Sequence, residues 1–115
     1  MCWHAAGTGN SIPYGPLTFT SFDINFSVPG KPSVYGNPHP DFCEPTTRQA
    51  SITIGKDTIQ VRASGTWCAN RVHFAYQVTG GTGAFGHARG TGSILIVQNT
   101  YPQPILEYWT GTLTP

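Results

Sequence analysis

Residues 71–98 read RVHFAYQVTGGTGAFGHARGTGSILIVQ, and this stretch decides the fold class. Its first nine residues place apolar side chains at every second position, a period typical of a β-strand with one buried face. These side chains are Val72, Phe74, Tyr76 and Val78. A glycine-rich segment follows, and residues 93–98 are again strand-like. Two strands joined by a glycine-rich turn predict an antiparallel sheet.

Outward from this stretch, further strands are predicted over residues 17–28, 51–54, 58–64 and 105–113. A three-residue turn at 55–57 that contains glycine joins the second and third of these into a hairpin. In the first strand, Leu17 and Phe19 are out of phase with Phe22, which predicts a bulge near Thr20. No window has a helical period. Six strands with short turns predict an all-β fold, a small antiparallel β-barrel.

The length of 115 residues leaves room for one domain, residues 1–115, with a single core. Residues 1–16 are rich in glycine, serine and proline and are predicted to form an irregular N-terminal arm. Residues 29–47 contain five prolines and are predicted to form a long loop without a ladder strand. Such a loop serves either as a lid or contact surface or as a connector.

Composition excludes several classes of partner. The lysines and arginines are scattered singly, so we expect no nucleic acid as a partner. No apolar run approaches the roughly 20 residues of a membrane span, so we expect no membrane as a partner. The N-terminus resembles no signal peptide. The composition, with few Lys and Glu and many Gly, Thr, Ser and Pro, nevertheless favours a secreted or extracellular protein. A cytoplasmic protein is the alternative. Because only 10% of residues are charged, charge repulsion between molecules is weak and self-association is permitted.

The three cysteines show no CxxC spacing, and no two histidines stand two or four residues apart, so we predict no metal site. Cys43 and Cys68 form either a disulfide or two reduced thiols, and Cys2 is then free or intermolecular. The glycine-rich segment lacks the lysine and the following helix of a nucleotide site, so we predict no cofactor. Its glycines instead predict a tight corner of the sheet with Phe85 packed beneath it.

Residues 79–92, TGGTGAFGHARGTG, resemble the GGTGxFxxAxGxG segment of the allene oxide cyclase and dirigent protein superfamily. The resemblance implies a calycin-like β-barrel of eight strands, commonly trimeric, around a mostly apolar cavity. Members cyclise, isomerise or orient small hydrophobic molecules. This chain has six clear strands, so residues 1–16, residues 29–47 or a partner chain would supply the remainder of a barrel of six to eight strands.

Polar side chains in the predicted strands are the candidates for a site. If they point into the barrel, His73 pairs with Asp23 or Glu107 as a catalytic acid and base. Five further residues are candidates for binding a ligand, namely Asn25, Arg62, Tyr76, Gln77 and Trp109. In the simpler alternative the polar faces meet water and the apolar faces form the core.

The leading functional expectation is a β-barrel that binds a small apolar molecule in its lumen and guides cyclisation or isomerisation. A trimer or larger homo-oligomer is the expected assembly. A structural or self-assembling extracellular protein without catalysis is the first alternative. A carbohydrate-binding module is the second, and it requires that Trp67 and Trp109 be exposed.

Overall fold

A computed structural model describes residues 2–12, 14–32, 34, 42–68, 71–97 and 105–115. Its strands are β1 (Cys2–Ser11), β2 (Gly15–Asn25), β3 (Glu44–Ile54), β4 (Asp57–Cys68), β5 (Arg71–Gly81), β6 (Arg89–Val97) and β7 (Leu106–Thr114). Each strand pairs antiparallel with the next along the chain, so one sheet contains all seven. The predicted all-β fold is confirmed.

The sheet curls into a half-barrel with a concave and a convex face. The curl is evident from side chains of β2 and β3 that reach β7, although several strands separate them in the sheet. Within the described residues β1 and β7 do not pair with each other, so each leaves one edge open. The described strands therefore do not close the concave face into a full barrel, and this unclosed concave side is termed the trough.

The core lies on the concave face in two adjoining clusters of buried side chains. Phe74 and Ile94 are the centre of the first cluster, with 1% and 0% of their surface exposed. Val61 and Phe85 belong to the second. Tyr76 and Trp109 pack against both, so they join the two clusters into one layer.

The glycine-rich corner between β5 and β6 contains a single 3₁₀ turn, Gly83–Phe85. Phe85 is buried beneath it and meets the ring of Tyr14 edge to face, with 5.4 Å between ring centroids. The backbone N–H of Thr58 donates to the Thr82 hydroxyl at 2.9 Å, which ties the corner to the β3–β4 hairpin. Gly83 has φ +56°, and a Cβ there would also meet the Asp57 carboxylate, so the position requires glycine.

Two segments predicted as irregular are partly strand. Cys2–Ser11 forms β1 and pairs residue by residue with β2. Its many small residues hide the period of two, and the strand is held by backbone pairing with β2 and by Trp3, which packs against the first core cluster. β3 begins at Glu44, inside the predicted loop, and Pro45 is tolerated because it lies beyond the last register pair of β2 and β3, where its missing N–H is not needed for the ladder. About half of the rest of that loop lies outside the described residues.

The bulge predicted near Thr20 is absent, because β2 keeps an unbroken register with both neighbours. Leu17 and Phe19 are in phase with Ser21 and Asp23, all turned to the concave face. The irregularity lies instead between β4 and β5, where the register shifts at Gln60 and Val61. The orientation of β2 is therefore the opposite of the one that its apolar residues suggest. Ser21, Asp23 and Asn25 point inward, and Phe22 points outward.

Cys43 and Cys68 form a disulfide, which decides between the two alternatives left by the sequence. The bond is compatible with an extracellular location. Cys2 is exposed and is not bonded to a described cysteine. No helix among the described residues is long and apolar enough to span a membrane.

Candidate binding site on the concave face

Arg48 lies in the middle of β3 with 1% of its surface exposed, and its guanidinium is the centre of the candidate site. Asp23 is its direct register partner on β2. Nε of Arg48 donates to Oδ1 of Asp23 at 2.8 Å, and Nη2 donates to Oδ2 at 2.9 Å. This two-point geometry matches the planar donors of arginine to the carboxylate.

Glu107 of β7 binds the other side of the same guanidinium. Nη1 of Arg48 donates to Oε1 of Glu107 at 2.6 Å, and Nη2 donates to Oε2 at 3.0 Å. The indole N–H of Trp109 donates to Oε1 as well, at 3.0 Å. The rings of Phe74 and Trp109 flank the guanidinium, with their centroids 5.2 and 6.0 Å from Cζ. Arg48 is therefore held by two carboxylates and two aromatic rings.

The electrostatics of this cluster favour a charged guanidinium. Burial alone lowers the pKa of Arg48, but the hydrogen bonds that it donates to Asp23 and Glu107, together with the attraction of their charges, outweigh burial and hold that pKa above its ordinary value. Two carboxylates around one guanidinium give the cluster a formal charge of −1. The side chains of Asp23 and Glu107 keep 13% and 11% of their surface exposed, so part of this charge is accessible to solvent.

Three half-buried rings form a group on the concave face, and one of them, Trp109, contacts Glu107. Trp109 lies 5.5 Å from Tyr76 and 6.3 Å from Phe19, measured between ring centroids. The Tyr76 phenol passes over Gly92 and Gly111, where a Cβ would come within 2.6 Å of its oxygen. Burial raises the pKa of Tyr76, so its hydroxyl stays protonated at neutral pH and is able to donate a hydrogen bond.

The structure divides the sequence candidates between the two faces. Asp23 and Glu107, predicted as catalytic, meet at Arg48. Three of the predicted ligand-binding residues also lie on the concave face, namely Asn25, Tyr76 and Trp109. Asn25 Oδ1 accepts a hydrogen bond from the Thr46 hydroxyl at 2.8 Å.

The other candidates point the opposite way. β5 turns Phe74 and Tyr76 inward, and alternation therefore places His73 and Gln77 on the convex face, where Arg62 of β4 also lies. Because the sheet separates His73 from both carboxylates, the predicted acid–base pair does not form. Trp67, one ring of the predicted carbohydrate surface, is 5% exposed and belongs to the core.

Arg48 itself is the residue that sequence reasoning missed. It lies after the predicted loop at 29–47 and before the predicted strand at 51–54, so the sequence pattern assigns it to no strand and it counts only as one of the singly scattered basic residues. The available signal was the alternation of Glu44, Thr46, Arg48 and Ala50, which all turn inward. Its partner Glu107 is 59 residues away in sequence, so no local pattern connects the two.

Comparisons with protein-family models, with curated proteins and with solved structures found no match to this chain. Within the described residues no group of three or more His, Cys, Asp and Glu side chains is arranged to hold a metal ion.

Proposed function

We propose that the concave trough binds a small, largely apolar molecule that carries a positively charged or hydrogen-bond-donating group. One observation carries this proposal: two partly exposed carboxylates, oriented by a buried arginine, stand beside three half-buried aromatic rings. The rings would contact the apolar body of the ligand, and the carboxylates would fix its polar end.

The carboxylates keep unused hydrogen-bonding capacity. An ionised carboxylate has about four acceptor positions. Asp23 uses two of them on Arg48. Glu107 uses three, two on Arg48 and one on Trp109. The remaining positions, together with the formal charge of −1, favour an amine or hydroxyl on the ligand over a carboxylate.

The site differs from the closed lumen expected from the sequence. Arg48, Phe74 and Ile94 fill the centre of the concave face, so the ligand is proposed to lie above this layer between β2 and β7. The resemblance of residues 79–92 to the allene oxide cyclase and dirigent superfamily adds cyclisation or isomerisation as the class of reaction that such binding would guide. Extracellular secretion is part of the same proposal and is supported by the disulfide.

A matched set of probes tests the binding proposal. Phenethylamine, 2-phenylethanol and phenylacetate share a phenyl ring and differ in the charge of the polar end. We expect affinity to fall in that order, measured by NMR from the shift of the Trp109 indole resonance. Glu107→Gln is expected to weaken phenethylamine binding about tenfold and to leave 2-phenylethanol nearly unchanged, because one charge-assisted contact is lost.

Tyr108→Phe is the matched control, since Tyr108 neighbours Glu107 in sequence but is 53% exposed on the convex face. This variant should bind all three probes as the wild type does. Phenylacetate binding as tightly as phenethylamine would contradict the proposed polarity of the trough. No shift of the Trp109 resonance with any probe would contradict binding there altogether.

A second candidate function is self-assembly, and it rests on the open strand edges. β1 carries no Asp, Glu, Lys or Arg, and no described strand covers its outer edge. Uncharged open edges pair readily with other strands. We propose a homo-oligomer, a trimer or larger as the resemblance implies, assembled through this edge.

Sedimentation velocity tests the assembly. The wild type is expected to sediment as an oligomer, and Thr8→Lys on β1 is expected to shift it to monomer because a lysine blocks edge pairing. Cys2→Ser separates edge pairing from an intermolecular disulfide and should leave the oligomer intact. A monomeric wild type at millimolar concentration would refute this candidate.

A further inference from the structure

The fold sorts the charges of the chain between its two faces. Asp23, Glu44 and Glu107 all turn to the concave side, where Arg48 is the sole described cation. Glu44 is 3% exposed and accepts the backbone N–H of Val34 at 3.0 Å. The chain as a whole has a formal net charge of +1, yet these three of its four described carboxylates lie on the concave face.

The convex face therefore carries an excess of positive charge. Arg62, Arg71 and Arg89 occupy outward positions of β4, β5 and β6 and are exposed. Asp57, at the start of β4, is half-buried and accepts the backbone N–H of Ala84 in the glycine-rich corner. None of the three arginines forms an ion pair with a described residue. The remaining outward positions are mainly Thr, Ser and Gln, which both donate and accept hydrogen bonds.

Two adjoining grooves cross this face. The first, about 520 Å³, lies between the touching rings of His4 and Phe22 on one side and Arg62 on the other. The second, about 680 Å³, is bordered by Gln77 and Arg89. Thr79 borders both, and Arg62 is the register partner of Gln77, so the two grooves form one continuous path across the sheet.

We propose that this convex path binds an acidic polysaccharide, a chain of sugars that bear carboxylate or sulfate groups. The charge is complementary, and arginine binds such planar or multi-oxygen anions through two parallel hydrogen bonds. Thr and Gln side chains suit sugar hydroxyls, and the ring of Phe22, 36% exposed, offers a face for stacking on a sugar ring.

The spacing of the arginines favours a polymer over a single sugar. Arg62 and Arg89 are two strands and two residues apart, which is roughly 12 Å by ordinary sheet spacing. An extended chain is needed to contact both. The Thr and Gln side chains that line the path between the arginines suit the hydroxyls of sugars better than a row of phosphates, so a nucleic acid is the less favoured polyanion. The proposal is independent of the trough, which lies on the other face.

Calorimetric titration with polygalacturonate and with heparin at low salt tests this assignment, with dextran as the uncharged polymer. We expect one of the acidic polymers to bind and dextran not to bind. Arg62→Ala and Arg89→Ala are each expected to weaken binding about tenfold, since each removes a charge-assisted contact. Arg71→Ala removes the same charge from the same face outside both grooves and is expected to change affinity less than about twofold. Circular dichroism of each variant verifies that the fold is retained.

Three results would overturn the proposal. The first is no binding of either acidic polymer by the wild type. The second is an equal loss in the Arg71→Ala variant, which would mean attraction by net charge without a site. The third is binding of double-stranded DNA as tight as that of the acidic polysaccharides, which would make the face a general polyanion surface.

Discussion

Replacing Arg48 with methionine is expected to lower the free energy of unfolding by about 3–5 kcal/mol, as is typical when one member of a buried ion cluster is removed. The substitution would leave the carboxylates of Asp23 and Glu107 facing each other with no cation between them. Methionine has roughly the volume of arginine and keeps the contact with Phe74. The loss of unfolding free energy is therefore due to the missing charge and its hydrogen bonds and not to a cavity. Urea denaturation measures the change.

Two further variants make this result specific. Arg62→Met removes an exposed arginine on the next strand and should change stability by less than about 0.5 kcal/mol. The triple variant Arg48→Met, Asp23→Leu, Glu107→Met replaces the whole cluster by apolar groups and should recover most of the lost stability, since no buried charge remains. If Arg48→Met alone costs under about 1 kcal/mol, the cluster is not buried in solution as described.

The second large effect is expected from the disulfide. Cys43→Ser with Cys68→Ser should destabilise the fold by roughly 3 kcal/mol, because the bond closes a segment of 25 residues in the unfolded chain. The bond also fixes the start of β3 to the end of β4, where Glu44 and Trp67 are register partners. The loss of stability should appear in chemical denaturation of the double variant and, equally, in the wild type under a reducing agent.

The exposed thiol provides the control. Cys2→Ser should leave the free energy of unfolding unchanged, with or without reducing agent, because Cys2 is not bonded to a described cysteine. Equal stability of the double serine variant and the wild type would show that the bond does not constrain the unfolded chain.

The sequence alone was sufficient to predict the fold class and the local turns. Alternation in residues 71–79 predicted β5, and Gly55 with its neighbours predicted the β3–β4 hairpin, because both signals involve residues close in the chain. The corner was predicted for the same reason, since Gly83 and Phe85 carry a backbone and a packing requirement within a few residues. β1 was missed because its small residues give little side-chain pattern.

For β5 and for residues 21–25 of β2, the sequence determined by itself which residues share a face, because alternation along a strand is a local property. Which face is inside was decided only by the tertiary structure. The polar set of β2 points inward because the curl of the sheet brings Glu107 to Arg48 and supplies buried partners for charges that would otherwise remain in water. That pairing joins residues far apart in the chain, and no local pattern encodes it.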